Sequence, residues 1–254
     1  AYADFAAELG PEYTRDGIPV FDAGDPVYMK SFMKHAHHES DSMGIAFWWL
    51  DWQQNLTNPR MDGLSETFLR NHVFYNDMKA THPDRRPLIF HRWGGLGSHR
   101  YPIGFSGDSF STFPTLAFQP YFTATAANVG FGYWGHDLGG HQHGNNNPEL
   151  YLRWMQYGVF SPLFRTHATN DPKIEMRIWK YPNFPDLLQT VKLRYELMPY
   201  IYTAAREAYD TGVSICRPLY YDYPEVNNAY RYEDEYMFGD EILVAPVLTA
   251  GKNG

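Results

Sequence analysis

The sequence predicts an α/β fold, part of a (β/α)8 TIM barrel running into a separate β-rich tail, on three observations. Short apolar runs alternate with segments of helical spacing, the pattern of parallel strands covered by helices on both faces. Five of these runs close on a polar residue: Asp51, Arg92, Asp108, Asp137 and His167. In a (β/α)8 barrel the C-terminal strand ends are where sites are built. The length, 254 residues, suits one large domain or two ordinary ones.

Asp25-Pro26 opens a helix that runs towards His38, with the proline in its first turn. Residues 44–51 (GIAFWWLD) read as a fully buried strand. A helix follows over 64–79, with Leu64, Phe68, Leu69, His72 and Tyr75 near helical spacing. RPLIFHR, 86–92, is a second strand, and 101–108 a shorter third. Residues 110–127 return as a helix interrupted near Pro114 and Pro120. The strand at 129–137 is rich in glycine, a sign of close backbone approach. A helix at 148–157 leads to a fifth strand or extended segment at 160–167. One long amphipathic helix, 185–210, stops at Gly212. With five strands visible, three lie upstream or are missing. From about Tyr230 the tail, with FGDEILVAPV, reads as a different module, which divides the chain into barrel, 1–228, and β-domain, 229–254.

Composition narrows the partners. Hydrophobic residues make up 44% and charged residues 20%, as in a globular chain. Mean hydropathy is −0.49 and no apolar run approaches the ~20 residues of a spanning helix, so no membrane partner is expected. Net charge is −8 with no block of Lys or Arg, which excludes nucleic acid as a partner. The single Cys216 excludes an internal disulfide framework. The opening AYADFAAELG lacks the basic flank and apolar core of a signal peptide and does not read as a natural start, so a fragment or processed chain is expected. Aromatic residues reach 17%, many beside Gly, Asn, Asp and His. They form either a large aromatic core or a site with flat apolar walls and polar edges, which suits sugars.

In FWWLDWQQ, Asp51 ends an apolar run among indoles, a costly place for a charge that nothing uses. Asp51 and Asp108 each close a strand, so one barrel can bring them together. A retaining glycosidase needs an ionised nucleophile and a protonated acid about 5–5.5 Å apart. The alternative is that each caps a helix or pairs with a cation. In GHDLGGHQH, the residues His136, Asp137, His141 and His143 are either metal ligands or, as the Gly/Asn-rich context favours, loop groups that face a substrate. His35, His37 and His38 read as a solvated helix face. GFGYWG, 130–135, matches G-x-G-x-x-G, but no helix start follows and Tyr133 and Trp134 would obstruct a pyrophosphate. Asn55-Leu56-Thr57 is a glycosylation sequon by pattern only.

FDAGDP, FWWLDW, GSHRYPIGFSGD, GFGYWGHDLGG, ELYLRWMQYGVFSPLFRTH and RPLYYDYP…FGDEILVAPV, spread from about Phe21 to Val247, together resemble glycoside hydrolase family 31. This is the α-glucosidase, sucrase-isomaltase and α-xylosidase group. The resemblance implies a retaining, exo-acting α-glycosidase, an α-glucosidase first and an α-xylosidase second. It implies barrel strands three or four to eight, then a C-terminal β-sandwich. Asp51 matches the nucleophile and Asp108 the general acid/base. Arg92, in FHRW, matches the arginine that binds sugar hydroxyls beside the nucleophile, where its charge favours an ionised carboxylate. Asp137 and His167 match residues lining the subsite for the non-reducing sugar. Trp49 and Phe105 match its aromatic walls, and Trp134 joins them. No metal or cofactor is implied. The substrate is an oligosaccharide or α-glucoside, and the other partners are the remaining domains of the parent chain. Gln54 departs from relatives that carry Glu there, which bears on the +1 subsite. Two other readings stand beside this one: a non-catalytic carbohydrate-binding fragment and a metal-dependent amidohydrolase.

Overall fold

A computed structural model describes residues 2–16, 18–51, 56–92 and 95–251. They fall into two units, 1–102 and 103–254. In the first, helix α1 (Tyr2–Leu9) is followed by a short antiparallel pair, β1 (Thr14–Arg15) and β2 (Ile18–Pro19). Helix α2 (Pro26–Phe32) starts where the sequence predicts, because Asp25 accepts bonds from the backbone N–H of Val27 and Tyr28 and Pro26 occupies the first turn. A π-helical turn at Met33–His37 links it to α3 (His38–Ser42). Strand β3 (Trp48–Leu50) and helix α4 (Glu66–Thr81), capped by Ser65, lead to β4 (Ile89–His91). Strands β3 and β4 are parallel, with Trp49 opposite Phe90 and Leu50 opposite His91. Their core packs Leu50 and Ile89 with Met29, Leu69, Phe74 and Met78.

The histidine trio is a solvated face only in part, with His38 40% exposed and His37 turned inward. His35 and His38 bond to Glu8 and Asp77, at 2.7 and 3.0 Å. His37 turns inward among Phe32, Trp48 and Phe74, and burial lowers its pKa to about 4.

In the second unit, β5 (Gly104–Phe105) precedes α5 (Phe113–Thr125), and β6 (Trp134–Gly135) lies parallel to β5. Helix α5 runs unbroken across Pro120, and Pro114 sits harmlessly in its first turn. Asn147 caps α6 (Pro148–Val159). The fifth strand does not form. Residues 160–167 make one isolated bridge, Thr166 to Leu138. The long helix is two, α7 (Phe184–Glu196) and α8 (Met198–Thr211), because Pro199 lacks the N–H that would carry the ladder on and so starts a new helix. Strands β7 (Cys216–Pro218), β8 (Tyr236–Phe238) and β9 (Ile242–Val244) form an antiparallel sheet; β7 lies within residues 1–228. The core joins Trp154, Tyr157 and Leu187 to Ile215, Tyr236 and Phe238. Among the described residues no helix is long and apolar enough to cross a membrane.

Candidate active site

Alternation along β3 and β4 sorts their side chains. Trp48 packs on His37 and Phe74, towards the helices. Trp49 turns the other way and stacks on Phe90, with ring centroids 6.0 Å apart. Asp51 and Arg92 follow two residues on, on the side of Trp49 and Phe90. There Arg92 Nε donates to Asp51 Oδ1 at 2.5 Å. Arg70, from α4, donates to the Asp51 main-chain carbonyl. Burial lowers the Arg70 guanidinium to about 10 against the attraction of Asp51 and Glu66. Arg92 is buried, whereas the Asp51 side chain is 40% exposed. The arrangement is an accessible carboxylate ion-paired with a buried guanidinium behind it.

In the second unit, the two faces of β6 divide packing from chemistry. Trp134 is buried edge-on against Phe122 and Phe131. Gly104 is required beside it, since a Cβ there would stand 2.8–2.9 Å from the Phe131 and Trp134 rings. His136 shares this face and stacks on Tyr157 at 4.9 Å. It is fully buried, neither ring nitrogen has a hydrogen-bond partner among the described residues, and burial lowers its pKa to about 3.

Asp137, also fully buried, turns to the other side. Arg165 Nη1 donates to its Oδ1, and the same guanidinium lies 5.5 Å above the Phe105 ring. His141 Nδ1 stands 3.7 Å from Asp137 Oδ2, and its Nε2 stands 3.7 Å from Asp108 Oδ2. The imidazole stacks on His167 at 4.9 Å. Backbone bonds explain how a loop residue is placed so well. His141 N donates to Ser109 O at 2.8 Å, and Thr169 N donates to His141 O at 3.0 Å. The chain reaches this position through left-handed glycines, Gly139 (φ +95°) and Gly140 (φ +82°). A Cβ on Gly140 would lie 2.6 Å from the Ser111 Cα. Carboxylates, imidazoles and a guanidinium gathered in one group can both donate to and accept from hydroxyls.

The structure brings Trp49, Asp51 and Arg92 together in the first unit, and Phe105, Asp108, Asp137 and His167 in the second. Trp134 is corrected: its indole packs towards α5, away from Asp137, and forms no wall of this group. The four residues of GHDLGGHQH weighed as metal ligands do not converge as one set. His136 lies on the opposite face, and His143, at φ +50°, packs edge-on against Phe110. The group among the described residues that could hold a metal is Asp137, His141 and His167, with ligand atoms within 4.8 Å of one another. Arg165 already sets a positive charge against the carboxylate of that group. Gln54 and Asn55 of the sequon lie outside the described residues. Sequence reasoning missed Arg70 and Arg165, and took His141 only as a possible ligand or loop group. The R-x-H spacing of Arg165 and His167 was the available signal for one of them.

A parallel β/α sheet with polar side chains gathered at its strand ends defines the class: the barrel architecture, which builds its sites at that edge. Comparison with known proteins names the lineage. The family model described as "Glycosyl hydrolases family 31 TIM-barrel domain" matches residues 12–204, and "Glycosyl hydrolase family 31 C-terminal domain" matches 212–254. The chain belongs to glycosyl hydrolase family 31, as part of the TIM barrel followed by the C-terminal domain. Alpha-glucosidase 2 of Bacillus thermoamyloliquefaciens is 34% identical over 192 residues, 72% of this chain and 23% of its own. Alpha-xylosidase of Saccharolobus solfataricus is 35% identical over 65% of this chain and 23% of its own. The structure of the GH31 dextranase of Flavobacterium johnsoniae, complexed with glucose, superposes with a TM-score of 0.82 at 27% identity, over 92% of this chain and 32% of that one. The chain thus spans about a quarter of the length of these curated relatives.

Proposed function

We propose that the full-length protein carrying this chain is a retaining, exo-acting α-glycosidase that acts first on terminal α-linked glucose. The observation that carries this reading is the ion pair between Arg92 and Asp51 at neighbouring strand ends. Asp51 attacks the anomeric carbon as Asp108 gives its proton to the leaving oxygen. A covalent glycosyl ester on Asp51 results. Asp108 then takes a proton from water, which releases the sugar with its α configuration. Positive charge that develops on the ring is stabilised by the flanking carboxylates. Asp137, His141, Arg165 and His167 receive the hydroxyls of the terminal sugar, and a buried set of this kind rejects sugars that leave its members unpaired. Trp49 and Phe105 supply apolar surface for its C–H faces. No step uses a metal.

An aryl α-glycoside panel on the full-length protein tests the reading, with the first-formed anomer followed by NMR. The expected product is the α-anomer, with glucosides cleaved ahead of xylosides; a first-formed β-anomer overturns retention. Binding of glucose without turnover of any aryl α-glycoside points to a carbohydrate-binding module instead. Asp51→Asn is expected to lose about 10⁴-fold or more in kcat. Asp108→Asn should lose turnover on poor leaving groups and regain most of it on an α-glycosyl fluoride, which needs no proton. Equal loss on both substrates sinks the acid/base role of Asp108.

A further inference from the structure

Residues 160–163 join the last turn of α6 to the stretch that carries Arg165 and His167. They form no strand, yet every backbone carbonyl from Gly158 to Leu163 lies within reach of a side-chain donor. The Arg194 guanidinium, from α7, donates to three of them: Val159 O at 2.8 Å, Ser161 O at 2.6 Å and Pro162 O at 2.8 Å. Phe160 O accepts from the Tyr236 hydroxyl at 2.7 Å and from the Cys216 thiol at 3.6 Å. The Ser161 hydroxyl lies 2.8 Å from Gly158 O and 2.9 Å from Leu163 O, its one proton serving either. Beyond this clamp, Phe164 packs under the Arg194 guanidinium at 5.7 Å. The next residue, Arg165, bonds to Asp137, and His167 stacks on His141.

Arg194 is a costly way to hold a turn. It is buried, no carboxylate pairs with it among the described residues, and burial lowers its pKa. For stability alone, a buried charge is often matched or bettered by well-packed apolar residues. What the guanidinium supplies is a planar fork of donors that fixes three carbonyls in one geometry. A bridge at Leu138–Thr166, with Leu138 N donating to Arg165 O at 3.0 Å, fixes the far end of the same stretch.

We infer that Arg194 is a positioning residue for the sugar subsite: it clamps the 159–162 turn so that Arg165 and His167 meet Asp137 and His141, with Tyr236 as its helper. The inference rests on the glycosidase reading. It goes further in making sugar recognition depend on a residue of α7 and on the C-terminal sheet.

A double-mutant cycle on the full-length protein separates positioning from simple stability. In the unaltered background, Arg194→Lys is expected to cost about tenfold in kcat/KM for an aryl α-glucoside, mainly through KM. In an Arg165→Lys background, the same change should cost less than twofold, because the group it aims is already displaced. A loss below threefold in the unaltered background, or an equal loss in both, overturns the inference; an equal loss is what a merely structural role produces. Tyr236→Phe removes only one donor and carries the same cycle, with about threefold expected, if Arg194→Lys fails to show a cooperative thermal transition. No turnover by the unaltered protein overturns the glycosidase reading itself, and the inference with it.

Discussion

His91 and His136 occupy equivalent places in the two units, each fully buried one residue before a candidate site residue, Arg92 or Asp137. The His91 nitrogens lie against two main-chain carbonyls, Tyr101 O at 2.7 Å and Arg92 O at 2.5 Å. Burial lowers its pKa while these two carbonyls pull it back up. The His136 ring stacks on Trp154 and Tyr157, and neither of its nitrogens has a hydrogen-bond partner among the described residues. One imidazole ties down the backbone of the arginine beside it; the other is an uncharged aromatic plate that fills space behind Asp137. The same residue type at the same place in a strand end thus serves two ends, and its partners decide which.

That contrast can be broken experimentally. The largest effect falls on the tethered side. Arg92→Met, which strips Asp51 of its ion pair, is expected to lower kcat/KM by about 10²-fold, in the range of a broken charge-assisted bond; a loss under fivefold in steady-state kinetics would remove Arg92 from the site. Next, His91→Phe leaves at least one buried carbonyl without a donor. It is expected to cost about 1–3 kcal/mol in denaturant unfolding. The smallest change is His136→Phe, which keeps an aromatic plate and loses nitrogens that are not bonded, so stability at pH 7 should move by less than about 1 kcal/mol.

The pH dependence sharpens the last case. In the fold His136 stays neutral down to about pH 3, whereas in the unfolded chain it binds a proton below about 6.5. The unfolded state therefore gains protons first on acidification, and stability falls as pH drops below 6.5. By pH 5 the loss amounts to about 2 kcal/mol from this residue. The Phe variant should show that much less acid sensitivity between pH 7 and 5. Parallel slopes for the two proteins would mean that His136 is protonated in the fold.

Much of this was legible because local rules were obeyed. Asp25-Pro26 announced α2, apolar spacing announced α4, and apolar runs that end on Asp51 and Arg92 announced β3 and β4. The failures share a cause: a distant residue decides. The run FSPLFRTH looks like a strand, and only Arg194 and Tyr236 show why it is held as a turn. Trp134 was placed among the walls by resemblance, but the side of β6 it takes is decided by Phe122 and Phe131. Pro199 was visible, but a proline in a first turn and a proline that ends a helix look alike until the break at Leu197 is seen. His37 is drawn inward by a π turn that no spacing rule anticipates.

The hydroxyl of Tyr236 on Phe160 O has a practical consequence for anyone recombining members of this family. A crossover placed in the loop after Gly212 looks safe, since it falls between helix and sheet. It would nonetheless hand the incoming module responsibility for a bond at the foot of the Arg165 stretch. Chimeras whose donor lacks a tyrosine at that strand position should be screened for substrate selectivity as well as for expression, because under the proposed reading the graft can fold and still misread a sugar.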